Sequence, residues 1–290
     1  MDSAPVPGRI GVITVLYRSE RVLPEFLACV AAQTHRDCIA IAVDNASGDR
    51  SATLCRDHGF RVIENDDNRG VAAANNQGIT AALEAGCEYI LLLNNDVRFG
   101  PELFTQLLVG TRTHNCEMTT PMMYLYSEPE TIWCAGGGLQ HWLGERPVHY
   151  GEGQRDTGQF TADRRVEFTP TCCVLIHRDV FERVGMMDER YFVYWDDTDF
   201  MLRAQRTGVT LYLLTQAKLW HHVGASSTND FAVRYATRNH AYYLRKHLPA
   251  PLAAMWSAIY ASVFAVGAPF SGRSRLKLRA WIEGMRMPLG

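Results

Sequence analysis

Three acidic residues within four positions, Asp196, Asp197 and Asp199 in YFVYWDDTDFMLRAQ, form the densest chemical feature of the chain. Adjacent carboxylates repel one another, so their clustering needs a reason. Helix capping accounts for two of them, with Asp196 at the N-cap and Asp199 three residues on, paired with Arg203 one turn later. Asp197 is left over, turned about 100° around the helix from Asp196. An aromatic wall of Tyr191, Phe192, Tyr194 and Trp195 precedes it. Apolar surroundings and neighbouring acids both raise the proton affinity of a carboxylate, which suits a general base. Asn94-Asn95-Asp96 closes an apolar run. A carboxylate there can hold a divalent metal against a diphosphate, although Asn and Asp also favour plain turns. Trp220-His221-His222 ends another extended run. Neighbouring histidines on a strand face opposite ways, so at most one joins a given site, and a metal shared with Asp96 is consistent with that placement. Asp44-Asn45, Asn68-Arg69-Gly70 and Asn75-Asn76-Gln77-Gly78 supply amides and a carboxylate suited to a base, a ribose and phosphates.

The elements that must position these groups alternate between strand and helix. IGVITVL (10–16), CIAIAVD (38–44), FRVIEN (60–65) and EYILLLNND (88–96) read as strands. Between them VLPEFLACVAAQ (22–33), a short helix with Asp49 as N-cap, and VAAANNQGITAALEAG (71–86) read as helices. Unbroken Leu91-Leu92-Leu93 suits a central parallel strand covered on both faces. The alternation predicts an α/β fold, a twisted, mainly parallel sheet flanked by helices, with ligands at the carboxyl ends of its strands. Residues 127–165 read as an elaborated loop. VEFTPTCCVLIH (166–177) reads as a strand, 196–208 as a short helix, and VTLYLL (209–214) and AKLWHH (217–222) as two separate extended pieces. From about residue 231 the pattern is helical.

The net charge of −2 over 290 residues hides an asymmetry. Residues 231–290 hold nine Lys/Arg against one Asp/Glu, giving +8, and the other twenty basic and thirty acidic residues give −10. No strong basic excess marks the chain as a nucleic-acid binder. LAAMWSAIYASVFAVGAPF (252–270) is uncharged and is followed by SGRSRLKLR. It is read as a helix packed on the rest of the chain, as a membrane-surface helix beside a basic cluster, or as a spanning helix. The eight cysteines form no CxxC pair, and residues 1–9 lack a secretory pattern, so a cytoplasmic protein with reduced thiols is expected.

Taken in order, VITVLYRSE, VDNASGDRS, NRGVAAANNQG, LLLNND, MDERYFVYWDDTDFMLRAQRTG and WHHVGASS resemble the family 2 glycosyltransferases of GT-A fold. Within that family the chain is similar to bacterial rhamnosyltransferases and galactofuranosyltransferases of O-antigen, exopolysaccharide and cell-wall synthesis. The resemblance implies a catalytic domain over 1–230, with 1–98 for the nucleotide and 99–230 for acceptor and catalysis, and the helical pattern beyond it makes 231–290 a basic helical extension. It implies that Asp44 binds the pyrimidine of a dTDP- or UDP-sugar and that Asn76 lies along the nucleotide, with Tyr17, Asn45, Asn68, Asn94 and Asn95 completing the donor set. Asp96 would hold Mn²⁺ or Mg²⁺ with His221, His222 being the weaker choice. Asp197 would be the base of an inverting displacement and Asp196 would orient the acceptor; the basic tail beside the uncharged stretch suits a lipid-linked saccharide acceptor at the inner membrane face. Asn94 departs from the acidic residue common at its position and lowers the charge around the metal.

Three rival classes share parts of this pattern. A dinucleotide oxidoreductase would carry GxGxxG after its first strand, where LYRSER stands instead. A non-catalytic nucleotide-sugar binder would not need the DDTD cluster. A nucleotide-sugar hydrolase would use the same groups with water as acceptor.

Overall fold

The computed structural model describes residues 8–140, 145–222 and 230–289. Chain order begins β1 (Ile10–Leu16), α1 (Leu23–Ala31), β2 (Cys38–Asp44), α2 (Ser51–Asp57), β3 (Arg61–Glu64), α3 (Gly70–Glu84) and β4 (Tyr89–Leu93). It continues through β5 (Val97–Phe99), α4 (Leu103–Thr113), β6 (Met118–Leu125), β7 (Ile132–Cys134), β8 (Gly137–Gln140), β9 (Arg146–His149), β10 (Arg164–Val166) and β11 (Cys173–His177). Then come α5 (Asp179–Val184), α6 (Asp196–Arg206) and β12 (Leu211–His221). Three helices close the chain: α7 (Asp230–His247), α8 (Ala250–Gly267) and α9 (Gly272–Arg286).

The main path of the sheet runs β10-β12-β6-β11-β4-β1-β2-β3. Its first half, from β4 to β3, is wholly parallel, as the continuous apolar runs require. One face packs Ile13, Ile41 and Leu92 on Ala72, Ile79 and Ala82 of α3, while the other packs Val12, Leu91 and Leu93 on Phe26 and Phe104. Covering both faces leaves the central β4 apolar along its whole length, and all five of its residues are buried.

The second half departs from a simple doubly wound pattern. Strand β11 inserts antiparallel between β4 and β6, so β4 is central but has one parallel and one antiparallel neighbour. Residues 209–214 and 217–222 were expected as two pieces. They are one strand, β12, whose register on β6 shifts between Leu214 and Lys218. The bulge keeps the pairing going past the polar Thr215-Gln216 step. The run 166–177 divides instead into the end of β10 and β11, with Pro170 between them. Within the expected loop, β7 pairs with β6 and β8–β9 form a hairpin. Asp49 precedes α2 by two residues and accepts from Ser51 N–H at 2.9 Å, so Arg50 rather than Asp49 is the N-cap. Gly86, at φ +77°, ends α3 as the sequence leads one to expect.

The final helices attach by aromatic packing. α7 and α9 meet through Ala241, Leu244 and Trp281, with Trp256, Tyr260 and Phe264 of α8 on the same cluster. Only Ala253 and Ser257 of α8 are buried. The rest of this uncharged helix is half-buried on the cluster side and exposed on the other, and it is long and apolar enough to cross a membrane by length and composition.

Candidate active site

The carboxyl ends of β1 and β4 open on a cleft of about 330 Å³ lined by Tyr17, Asn75, Asn94, Asn95, Asp96 and Thr171, among others. It adjoins a second cleft of about 460 Å³ lined by Trp133, His149, Cys172, Trp195, Asp196 and Asp197. Val71, Asn94 and Thr171 line both. The two clefts are therefore one depression, with Asp96 on one side and Asp197 on the other.

Asp96 follows β4, and His221 is the last residue of β12. Antiparallel pairing of β5 with β12 sets Val97 opposite His221. That register brings His221 Nε2 to 3.1 Å from Asp96 Oδ1. The His221 ring is buried against Trp133, with centroids 4.5 Å apart. His222 turns the other way, stacks on Tyr126 and pairs with Glu25 at 3.6 Å. Among the described residues no group of three His, Cys, Asp or Glu side chains converges. A carboxylate on the cleft wall with an imidazole nitrogen beside it does fit a hard divalent cation whose remaining ligands are diphosphate oxygens and water. Asn95 is buried and donates to the Val15 carbonyl, fixing the turn that presents Asp96.

The donor set divides. Tyr17, half exposed, and the exposed Asn94 stand on the cleft wall. Asp44 is buried at the end of β2 and accepts from both Ser47 N–H and Ser47 Oγ. Asn45 donates to the Gly70 carbonyl at 3.0 Å and accepts from Asn65. Asn68 caps the entry to α3 by accepting from Gly70 N–H. None of these three lines either cleft. Nor does Asn76, whose amide is wholly engaged with Met187 N–H, the Met187 carbonyl and Glu189. One helical step of about 100° separates it from Asn75, which does line the cleft.

Asp196 and Asp197 occupy the first turn of α6, one position later than expected. The N-cap is Trp195, in a left-handed conformation at φ +69°, so Asp196 is the first helical residue. Asp196 is buried, and burial followed by repulsion from Asp197 pushes its carboxyl well above the usual range. Burial also pushes Asp197 up, opposed by hydrogen bonds from Thr198 and by the nearby His149. Asp197 Oδ1 accepts from Thr198 N–H at 2.7 Å and from its hydroxyl at 3.2 Å. His149, at the end of β9, stacks on Phe168 and borders the same cleft. Nothing in the sequence pattern singled it out, because its strand lay within the expected loop.

Asp199 is the structural member of the cluster. It is fully buried and accepts from Arg203 Nε at 2.8 Å and from Tyr191 Oη at 3.1 Å, and its carboxylate meets His247 Nε2 at 2.7 Å and Lys246. Burial alone would raise its pKa, but the His247 hydrogen bond, Arg203 and Lys246 outweigh it and hold the carboxyl well below the usual range. A depressed carboxylate stabilises the fold above the unfolded-state value of about 3.9 and loses that contribution as pH falls through its folded value. Asp199→Asn is therefore expected to lower Tm at pH 7, with the gap to wild type closing below about pH 4. A gap that stays constant from pH 7 to pH 3 would refute the assignment.

The chain that leads into α6 is strained. Phe192, at φ 65° and ψ −58°, forms a γ-turn closed by Val193 N–H donating to the Tyr191 carbonyl at 2.8 Å. Tyr194 and Trp195 also have positive φ. α3 holds the turn from one side, where Val71 N–H donates to the Phe192 carbonyl. A side chain on Gly70 would collide with that carbonyl, and Gly70 itself has φ +85°. α7 holds it from the other: buried Asn239 Nδ2 lies 2.7, 2.7 and 2.8 Å from the carbonyls of Tyr191, Val193 and Tyr194. Arg238 donates to the carbonyls of Arg190 and Tyr191. Residues 223–227, the end of the WHHVGASS segment, lie outside the described residues.

A model of glycosyl transferase family 2 matches residues 11–185. The chain is 26% identical over 255 residues to the dTDP-rhamnosyl transferase RfbF of Shigella flexneri, covering 83% of this chain and 81% of that one. It is also 26% identical over 254 residues to the N-acetylglucosaminyl-diphospho-decaprenol L-rhamnosyltransferase of Mycobacterium tuberculosis, covering 80% and 82%. The crystal structure of GalNAc-T7 with UDP, GalNAc and Mn²⁺ shares the fold at a TM-score of 0.69 and 12% identity. That match covers 96% of this chain, which spans 54% of the solved one.

Proposed function

The chain belongs to glycosyl transferase family 2 and is a glycosyltransferase, and on that premise we propose that it moves rhamnose, or a similar deoxyhexose or furanose, from a dTDP- or UDP-sugar to a lipid-linked saccharide. The observation that carries the reading is the single depression with Asp96, held in contact with His221, on one side and Asp197 on the other. The acceptor is supported by the M. tuberculosis relative, whose name specifies a diphospho-decaprenol substrate.

In this reading Asp197 takes the proton of the acceptor hydroxyl as that oxygen attacks the anomeric carbon. The carbon–oxygen bond to the diphosphate breaks on the opposite face, with inversion, and the nucleoside diphosphate leaves with the bonding pair. Asp196, protonated beside it, donates toward the acceptor and keeps a second negative charge out of the pocket. Asn94 on the shared wall and Asn75 on α3 hold the donor's phosphates and sugar between the two sides of the cleft. Asp96 and His221 would hold Mn²⁺ or Mg²⁺, which supplies charge neutralisation on the leaving diphosphate. Eight free thiols and the exposed apolar α8 support a cytoplasmic enzyme at the inner membrane face.

The test is nucleoside-diphosphate release from dTDP-rhamnose and UDP-sugars with and without a lipid-linked saccharide. Acceptor-dependent release is expected, whereas equal release without acceptor means a hydrolase. EDTA is expected to abolish turnover and to weaken donor binding in calorimetry, and added Mn²⁺ or Mg²⁺ to restore both. Asp96→Ala should lose that metal-dependent increment of donor affinity. Full activity and unchanged donor affinity in EDTA would remove the metal from the reading.

A further inference from the structure

A third cleft, of about 480 Å³, lies between α7, α8 and α9 and is walled by Trp195, Tyr260, Phe264 and Trp281. Arg146, Arg273 and Lys277 also line it. Arg146, Tyr194, Trp195 and Ala236 line the Asp197 cleft as well, so the two open into one another. The charge around this groove is unbalanced. Glu283, the one acid in residues 231–290, is already paired with Arg234 at 3.1 Å and Arg238 at 3.9 Å. Among the described residues no carboxylate pairs with Arg146, Arg273 or Lys277. The outer side of α8 continues from the groove as an exposed apolar stripe: Leu252, Met255, Ile259, Val263 and Val266, then Phe270 at 89% exposure. The spacing of these residues is that of one helix face, and nothing among the described residues covers it.

Three cations and a set of aromatic rings lining one groove, with an apolar strip on the adjoining helix, match a molecule with a diphosphate at one end and a hydrocarbon chain at the other. We propose that this groove binds the diphosphate and first apolar units of a polyprenyl-diphosphate-linked acceptor. Arg146, Arg273 and Lys277 take the diphosphate, the chain leaves along α8 into the bilayer, and the saccharide is delivered past Trp195 to Asp197. The proposal rests on the transferase reading above and locates its acceptor. An anionic phospholipid headgroup shares part of this chemistry, so the experiment separates the two.

The probe is farnesyl diphosphate, titrated into the full chain and into Arg273→Ala/Lys277→Ala, with dioleoyl phosphatidylglycerol vesicles and inorganic diphosphate as the other arms. Farnesyl diphosphate is expected to bind the wild type with nucleoside diphosphate already bound, and the double variant to bind it at least tenfold more weakly. Arg273→Lys/Lys277→Arg should restore most of the affinity, and nucleoside-diphosphate affinity, unchanged in both variants, reports an intact fold. Any of three results would overturn the groove: affinity indifferent to the double substitution, competition with the nucleotide, or equal substitution-sensitive binding of phosphatidylglycerol or inorganic diphosphate. These outcomes are independent of the acceptor-dependent release test. If release requires a lipid-linked acceptor while farnesyl diphosphate ignores Arg273 and Lys277, the location falls and the transferase reading stands.

Discussion

Asp197→Asn is expected to leave a folded protein that binds its donor, with transfer reduced by about 10²–10⁴. Asn keeps the shape and can still accept from Thr198, so the first turn of α6 persists. What it loses is the capacity to take a proton. The choice of Asp197 over Asp196 follows from the two environments. Asp196 is the more deeply buried, and the adjacent Asp197 adds to the effect of burial on it. Asp197 has Thr198 and His149 on the side of the carboxylate. Two neighbouring carboxyls at such a site do not both ionise readily, and the proton stays on Asp196 while Asp197 is free to act as base. Because burial raises Asp197, its basic form appears only above the ordinary carboxylate range of about 3.9, so the acid limb of kcat should lie above that value and rise toward neutral pH. Substantial turnover by Asp197→Asn, or an acid limb at the unperturbed carboxylate pKa, would move the base elsewhere. Asp196→Asn should be the milder variant, since an amide still donates toward the acceptor.

The parallel half of the sheet is legible in the sequence because burial on both faces demands apolar residues without interruption. IGVITVL, CIAIAVD and YILLL meet that demand. The meeting of Asp96 and His221 is legible for a related reason, since Asp96 lies three residues past β4 and His221 ends β12, at an edge where open sheets bind ligands. The hairpin bearing His149 is not legible. Its strands are only four residues long, β8 opens with two glycines and β9 has no buried position, so neither GGLQ nor RPVH carries a periodic signal. Asn76 and Asn75 show a different limit. The sequence sets Asn75 and Asn76 side by side on one helix, and only the helix's rotation decides which one meets the cleft. Positive φ at Phe192, Tyr194 and Trp195 is also invisible, because bulky residues are the last expected there. Such backbone persists only where its surroundings over-determine it, and the elements that do so, α3 and α7, are far away along the chain.

That strained segment makes Asn239 the second residue on which activity should turn. One amide group faces three carbonyls within 2.8 Å, and those carbonyls belong to the residues whose backbone aims α6 into the cleft. Each unfavourable conformation there costs on the order of 1–3 kcal/mol, so the segment relaxes once its partners are withdrawn. Asn239→Leu fills similar space and withdraws the donor from the half-buried Val193 and Tyr194 carbonyls, at about 1–3 kcal/mol of stability. The effect on rate should exceed what that loss alone produces. Asp196 and Asp197 follow directly on Trp195, and a shift of about 1 Å in a catalytic group can cost about 10² in rate. We therefore expect kcat to fall by about 10² with the donor Kd unchanged, since the Asp96 side of the cleft is built on other strands. A purely structural role would lower Tm without that split. The double variant Asn239→Leu/Asp197→Asn separates the two accounts. If Asn239 acts by positioning Asp197, adding Asn239→Leu to Asp197→Asn costs little further activity while the loss in Tm remains. If the two losses in rate multiply in full, Asn239 does not act through Asp197, and α7 only braces the fold.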